Sequence, residues 1–206
     1  MKTTVFIFIA LAVTSFSIAQ TSYKKQPTIG VQFIFNDFQT ATDIINGGIT
    51  KVLRDKQWLK LSRMSPGLAI TYLEGLDEKI DFAGTVSGSF ADNAAVANNT
   101  SDNKNFLLEA AATINIKLVS DKYWVSPFVT IGAGVSNFNS GFGAFIPVGL
   151  GLQVNVYDQT YILLNSQYRM RVTENVNYHF YHSIGIAGNI FTRKKLRDTP
   201  PAAAPL

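Results

Sequence analysis

Apolar residues and small or polar residues alternate with a period of two along most of this chain. In the middle, Val129, Ile131, Ala133 and Val135 interleave with Phe128, Thr130, Gly132 and Gly134. Further on, Ala144, Ile146, Val148, Leu150, Leu152, Val154 and Val156 interleave with Phe145, Pro147, Gly149, Gly151, Gln153 and Asn155. This period places one set on each face of a strand. From Tyr123 to Tyr157 there is no Asp, Glu, Lys or Arg. A spanning helix needs about 20 mostly apolar residues in a row, and Pro127, Pro147 and six glycines interrupt this stretch. One face is fit for lipid and the other for a mixed polar interior, the pattern of a membrane β-barrel.

The same rhythm predicts eight strands: Thr28–Phe38, Gly67–Leu76, Ile80–Phe90, Asn105–Val119, Val125–Ser136, Phe142–Val156, Thr160–Met170 and Asn177–Phe191. In the first, Ile29, Val31, Phe33 and Phe35 oppose Gly30, Gln32 and Asn36. In the fourth, Leu108, Ala110, Ala112, Ile114, Ile116 and Leu118 oppose Glu109, Thr113, Asn115 and Lys117. A tilted strand needs roughly 9–11 residues to cross a bilayer, while strands of soluble sheets average about 5–6. The expected fold is an all-β, eight-stranded, antiparallel up-and-down transmembrane barrel over residues 28–191.

Connections alternate in length. Gln39–Pro66 and Ala91–Lys104 are long, while Asp77–Lys79, Ser120–Trp124 and Tyr157–Gln159 are short. Outer-membrane barrels pair short periplasmic turns with longer extracellular loops. An even number of strands then leaves both termini in the periplasm. In the first long loop, Ile49, Val52, Leu53 and Leu59 are spaced for a helix over Thr50–Leu61, which caps the mouth or lies at the outer interface. Phe38, Phe90, Phe106, Tyr123, Trp124, Tyr157, Tyr161, Tyr168 and Tyr178 lie near strand ends, where interfacial girdles are expected.

The ends extend this picture. Residues 1–19 read as a secretory signal peptide, with Lys2, an apolar core over Val5–Val13 and a small-x-small site at Ser17-Ile18-Ala19. Residues 20–27 form the mature N-terminal segment, and residues 192–206 a basic, then Pro/Ala-rich periplasmic tail. The formal net charge of +4 owes much to Arg193, Lys194, Lys195 and Arg197. That cluster is a solvated or headgroup-facing tail and not a basic face interleaved with aromatics, so nucleic acid is no expected partner.

Candidate chemistry is sparse. The chain holds no Cys, no HExxH and no phosphate-binding loop, so no cofactor or metal is expected. His179 and His182 fall on opposite faces of the last strand, and nothing fixes a catalytic geometry around either. The expectation is no enzyme. The inward charges are more informative. Glu109 and Arg169 point inward toward the outer half, and Asp81 and Lys117 inward toward the periplasmic half. Unpaired buried charges are very costly, so these four residues should form two layers of a lumen network. Such layers gate a narrow channel or plug the barrel.

Asn36-Asp37-Phe38, Met64-Ser65-Pro66-Gly67-Leu68 and Ser183-Ile184-Gly185-Ile186-Ala187 resemble the small outer-membrane β-barrel proteins of Bacteroidota, within the OmpA-like barrel group. The resemblance covers roughly residues 20–195. It implies a barrel domain, here without the peptidoglycan-binding domain that often follows a Pro-rich linker. The expected role is structural or surface interaction, a lipid-embedded scaffold displaying the loops at Gln39–Pro66 and Ala91–Lys104. Outer-membrane lipid, the barrel assembly machinery and an extracellular partner at the loops are the expected partners. The alternatives are a narrow channel for small solutes, an exported lipocalin-like barrel holding an apolar ligand, and a membrane enzyme acting on lipid at the rim.

Overall fold

The computed structural model describes residues 24–55, 58, 60–92, 104–138, 141–157 and 160–190. The expected signal peptide, the basic tail, most of the second long loop and Phe191 lie outside them. Eight antiparallel strands form one closed sheet in sequence order. They are β1 (Thr28–Asp37), β2 (Ser65–Gly75), β3 (Ile80–Asp92), β4 (Lys104–Lys117), β5 (Val125–Phe138), β6 (Gly141–Tyr157), β7 (Thr160–Arg171) and β8 (His179–Asn189). The sheet closes where β1 pairs with β8, Val31 opposite Ile186. Closure leaves no edge strand with unpaired backbone groups.

The alternation decides what faces out. Starting at Ile162, the paired residues run through Ile186, Val31, Ile70, Val86, Ala110, Val135 and Ala144. They return to β7 at Val172, whose N–H meets the Ala144 carbonyl, well along the strand from Ile162. The offset is the stagger that a closed barrel of tilted strands requires. Every residue on this circuit is apolar. Phe33 is 63% exposed and Leu150 67%, members of a continuous apolar belt larger than a soluble monomer exposes.

The inward face is narrow, and glycine makes it possible. At Gly132 a Cβ would lie 2.1 Å from the Ala112 carbonyl oxygen and 2.7 Å from the Thr113 Cα. Only a residue without a side chain lets β5 approach β4 so closely.

The first long loop differs from the single helix expected over Thr50–Leu61. It forms two helices, α1 (Phe38–Gly47) and α2 (Ile49–Arg54), and a 3₁₀ turn at Leu61–Arg63. Asp37 caps α1, its Oδ1 accepting the Thr40 N–H at 2.8 Å. Gly48 separates the helices with φ +77° and ψ 156°, a backbone region left almost entirely to glycine. Phe38, expected at a strand end, starts α1 instead. It packs with Ala91, Leu107 and Phe138 over the loop end of the lumen. Of the expected aromatic girdle, Phe90, Phe106, Tyr123 and Trp124 are exposed, but Phe38 and Tyr161 are buried. Tyr161 sits at an inward position of β7, beside Leu73, Ala83, Leu163 and Ala187.

Candidate functional site: two charged layers in the lumen

The strands bring the four inward charges together in two layers. Toward the loop end, Arg169 of β7 and Glu109 of β4 lie 1% and 2% exposed. Arg169 Nη1 donates to Glu109 Oε2. His179 Nε2 lies 3.3 Å from Glu109 Oε1. The Arg169 guanidinium also lies over the Tyr181 ring at 3.7 Å and near Phe145 at 4.9 Å, so its flat faces meet aromatic surface while its edge meets the carboxylate. Phe38 of α1 covers His179, ring centroids 4.5 Å apart. The cap helix and the upper layer are therefore one packed unit.

Toward the turn end, Lys117 Nζ stands 2.9 Å from Asp81 Oδ1 and 2.9 Å from Asp121 Oδ1. A second ammonium joins them. Lys25, from the segment before β1, donates to Asp81 Oδ2 at 2.5 Å and to Gln153 Oε1. Gln153 Nε2 donates onward to Asp121 Oδ1 at 3.0 Å and Asn155 Oδ1 at 2.7 Å. Lys25 and Asp121 escaped the sequence reading because both lie outside strands, where alternation assigns no face. A buried Asp81–Lys117 pair with one further carboxylate needs another cation, but the lysines nearest in sequence, Lys79 and Lys122, do not supply it. Nothing in the sequence pointed to Lys25, 56 residues from Asp81.

Between the layers the lumen is polar and nearly filled. Gln32 Nε2 donates to Thr71 Oγ1 at 2.7 Å, and Thr71 and Thr85 share a hydrogen bond of 3.0 Å. A cavity of about 30 Å³ remains, lined by groups including Thr113, Asn115, Asn165, Gln167 and Ser183. That is room for a water or two.

The two histidines do lie on opposite faces. His179 is inside. His182 is outside, its Nδ1 2.9 Å from Ser166 Oγ and its ring stacked on Phe180 at 6.0 Å. Nδ1 and the Ser166 hydroxyl satisfy each other, while His182 Nε2 is buried with no hydrogen-bond partner among the described residues. No group of three or more His, Cys, Asp or Glu among the described residues is placed to hold a metal ion. On the cap, a cleft of about 370 Å³ lies between α1 and α2, where Arg63 meets Asp43 at 2.7 Å.

No protein-family model matches the chain, and no curated protein matches it in sequence. Among solved structures it is similar to Neisserial surface protein A, with 9% identity, a TM-score of 0.52, and coverage of 81% of this chain and 98% of that one. It is also similar to the outer membrane protein OprG from Pseudomonas aeruginosa, with 10% identity, a TM-score of 0.52, and coverage of 81% and 97%. The fold is that of small outer-membrane barrels. At such identities the likeness is one of architecture alone.

Proposed function

We propose that this protein is an outer-membrane β-barrel whose filled lumen makes it a rigid scaffold, and that it presents the α1–α2 cap and the second long loop at the cell surface. One observation carries the reading: polarity is inverted. Glu109, Arg169, Asp81 and Lys117 are buried inside, while Phe33, Ile70, Leu150 and Ile186 face outward and exposed. Water would not tolerate that belt on a monomer, whereas lipid favours it. A lipocalin-like soluble barrel would need the opposite arrangement. Both termini then lie in the periplasm, because eight strands return the chain to the side from which it started and the short turns lie there. The expected partners are outer-membrane lipid, the assembly machinery, and an extracellular partner meeting the cap. The name of Neisserial surface protein A agrees with a surface role.

The test is gel mobility of the outer-membrane fraction with and without boiling. A closed membrane barrel stays with that fraction and resists detergent until heated, so the two lanes differ. Recovery in the soluble periplasmic fraction, with no shift, would remove the membrane reading.

The polar cavity between the layers favours one second reading, a narrow channel gated by Glu109 and Arg169. In planar bilayers a gate predicts a single-channel conductance that changes in Glu109→Ala or Arg169→Ala. A silent wild type and silent variants leave the layers as a plug.

A further inference from the structure

The segment before β1 enters the barrel at its turn end. The Lys25 carbonyl accepts the Gly75 N–H at 3.1 Å, and the Pro27 carbonyl accepts the Ile190 N–H at 2.9 Å. At Gly75 a Cβ would fall 2.6 Å from the Lys25 backbone nitrogen, so glycine is what lets the segment lie this close to β2. These contacts direct Lys25 inward until it is 3% exposed.

Its ammonium is ringed by the acceptors of a cation site. Asp81 Oδ2 is 2.5 Å away and Asp121 Oδ2 3.7 Å. The Gln153 amide oxygen accepts from it, and the Tyr161 ring lies 5.0 Å from it. With Lys25 in place, two ammoniums balance two carboxylates. Without it, Lys117 is the one ammonium paired with Asp81 and Asp121 among the described residues, and this cluster is left one negative charge in excess. Lys25 is the one member of this set that belongs neither to the barrel wall nor to a turn joining two strands. Burial pushes its ammonium below the ordinary lysine value, against the pull of Asp81 and Asp121, so the charge is held there at a cost.

We propose that the turn-end mouth of the lumen is a binding site for a small monovalent cation, which the chain fills with its own Lys25 ammonium, so that the N-terminal segment acts as a tethered stopper beneath the polar cavity. Withdrawal of the segment admits a small cation, an alkali ion or a primary ammonium, and disfavours an anion. This inference rests on the closed-lumen barrel described above.

The chain has no cysteine, so one introduced thiol reports cleanly. Thr113 lines the cavity and shares the inward face of β4 with Lys117. The full chain carrying Thr113→Cys is compared with the same chain carrying Lys25→Ala as well, each folded in detergent and treated with aminoethyl or sulfonatoethyl methanethiosulfonate. The thiol is expected to be protected while Lys25 is present. In Lys25→Ala it should react, with the cationic reagent about tenfold faster than the anionic one, as a mouth of one charge sign concentrates its counterion. Protection that persists in Lys25→Ala overturns the stopper. Equal rates for the two reagents overturn the cation site. Both variants are checked for the heat-dependent gel shift. If Lys25→Ala lacks it, Lys25→Ser removes the stem and the charge alike while leaving a polar group for Asp81, and carries the same comparison. A parent chain that shows no shift strikes the barrel reading itself, whereas an intact shift with unchanged labelling strikes the stopper alone.

Discussion

Arg169→Ala is expected to destabilise the folded barrel by about 3–5 kcal/mol, the cost of removing one partner from a buried ion pair. The reason is the company Arg169 keeps. Glu109 is buried beside it, and among the described residues the only other cation-forming group against that carboxylate is His179, 3.3 Å away. Without the guanidinium, the carboxylate is left in a layer roofed by Phe38 and flanked by Phe145 and Tyr181. It must then protonate or draw water into the packed end of the lumen. The Tyr181 and Phe145 rings also lose the cation that fills the space between them. Urea unfolding in lipid vesicles measures the effect, with Trp58 and Trp124 as the only tryptophan reporters. The double variant Glu109→Leu, Arg169→Met should recover most of the loss, because apolar groups of similar volume often replace a buried pair without penalty. A loss in Arg169→Ala below about 1 kcal/mol, the range of solvent-exposed pairs, would mean that water already reaches the layer. The plug would then be no plug.

The second large effect concerns the outside. Leu150 lies mid-way along β6 and is exposed. Leu150→Arg is expected to cost ~2–4 kcal/mol, as for a cation at the bilayer midplane. Tyr123→Arg, on an exposed residue of the turn before β5, should cost only about 0–1 kcal/mol because the interface solvates the charge. The gradient matters more than either value, since a soluble barrel would accept an arginine equally well at both exposed positions. Equal costs would therefore undo the assignment of the belt to lipid. An arginine at Gln153 would be a poor inward control, because it would stand beside Lys25 and Lys117 in the turn-end layer.

The α1 helix shows where sequence patterning stops being informative. Its capping residue, Asp37, stands three residues before Thr40, whose N–H it accepts. That signal lies at the end of a strongly alternating strand, and the following Gln39-Thr40-Ala41-Thr42 has no clear apolar stripe. Phe38 and Ala41 are buried only because the barrel mouth lies beneath them. For Ile49–Arg54 the apolar spacing was stronger, and a helix was legible there, though it stops at Arg54 instead of continuing to Leu61.

Sequence by itself determined the faces and the number of strands. Alternation is a local property of extended backbone, so Leu150 and Gln153, or Glu109 and Ala110, fall on opposite sides whatever the rest of the chain does. It also determined that inward charges require partners, since that follows from the cost of desolvation. Only the tertiary structure decided which charges meet. Glu109 and Arg169 are 60 residues apart, Lys25 and Asp81 are 56 apart, and Lys25 and Gln153 are 128 apart. Their meeting depends on the stagger of the closed sheet, a global quantity fixed when β1 pairs with β8. Lys25 and Asp121 depend on more still. They lie in irregular segments, which carry no period to assign a face, and they are placed by backbone bonds to Gly75 and by the turn after β4.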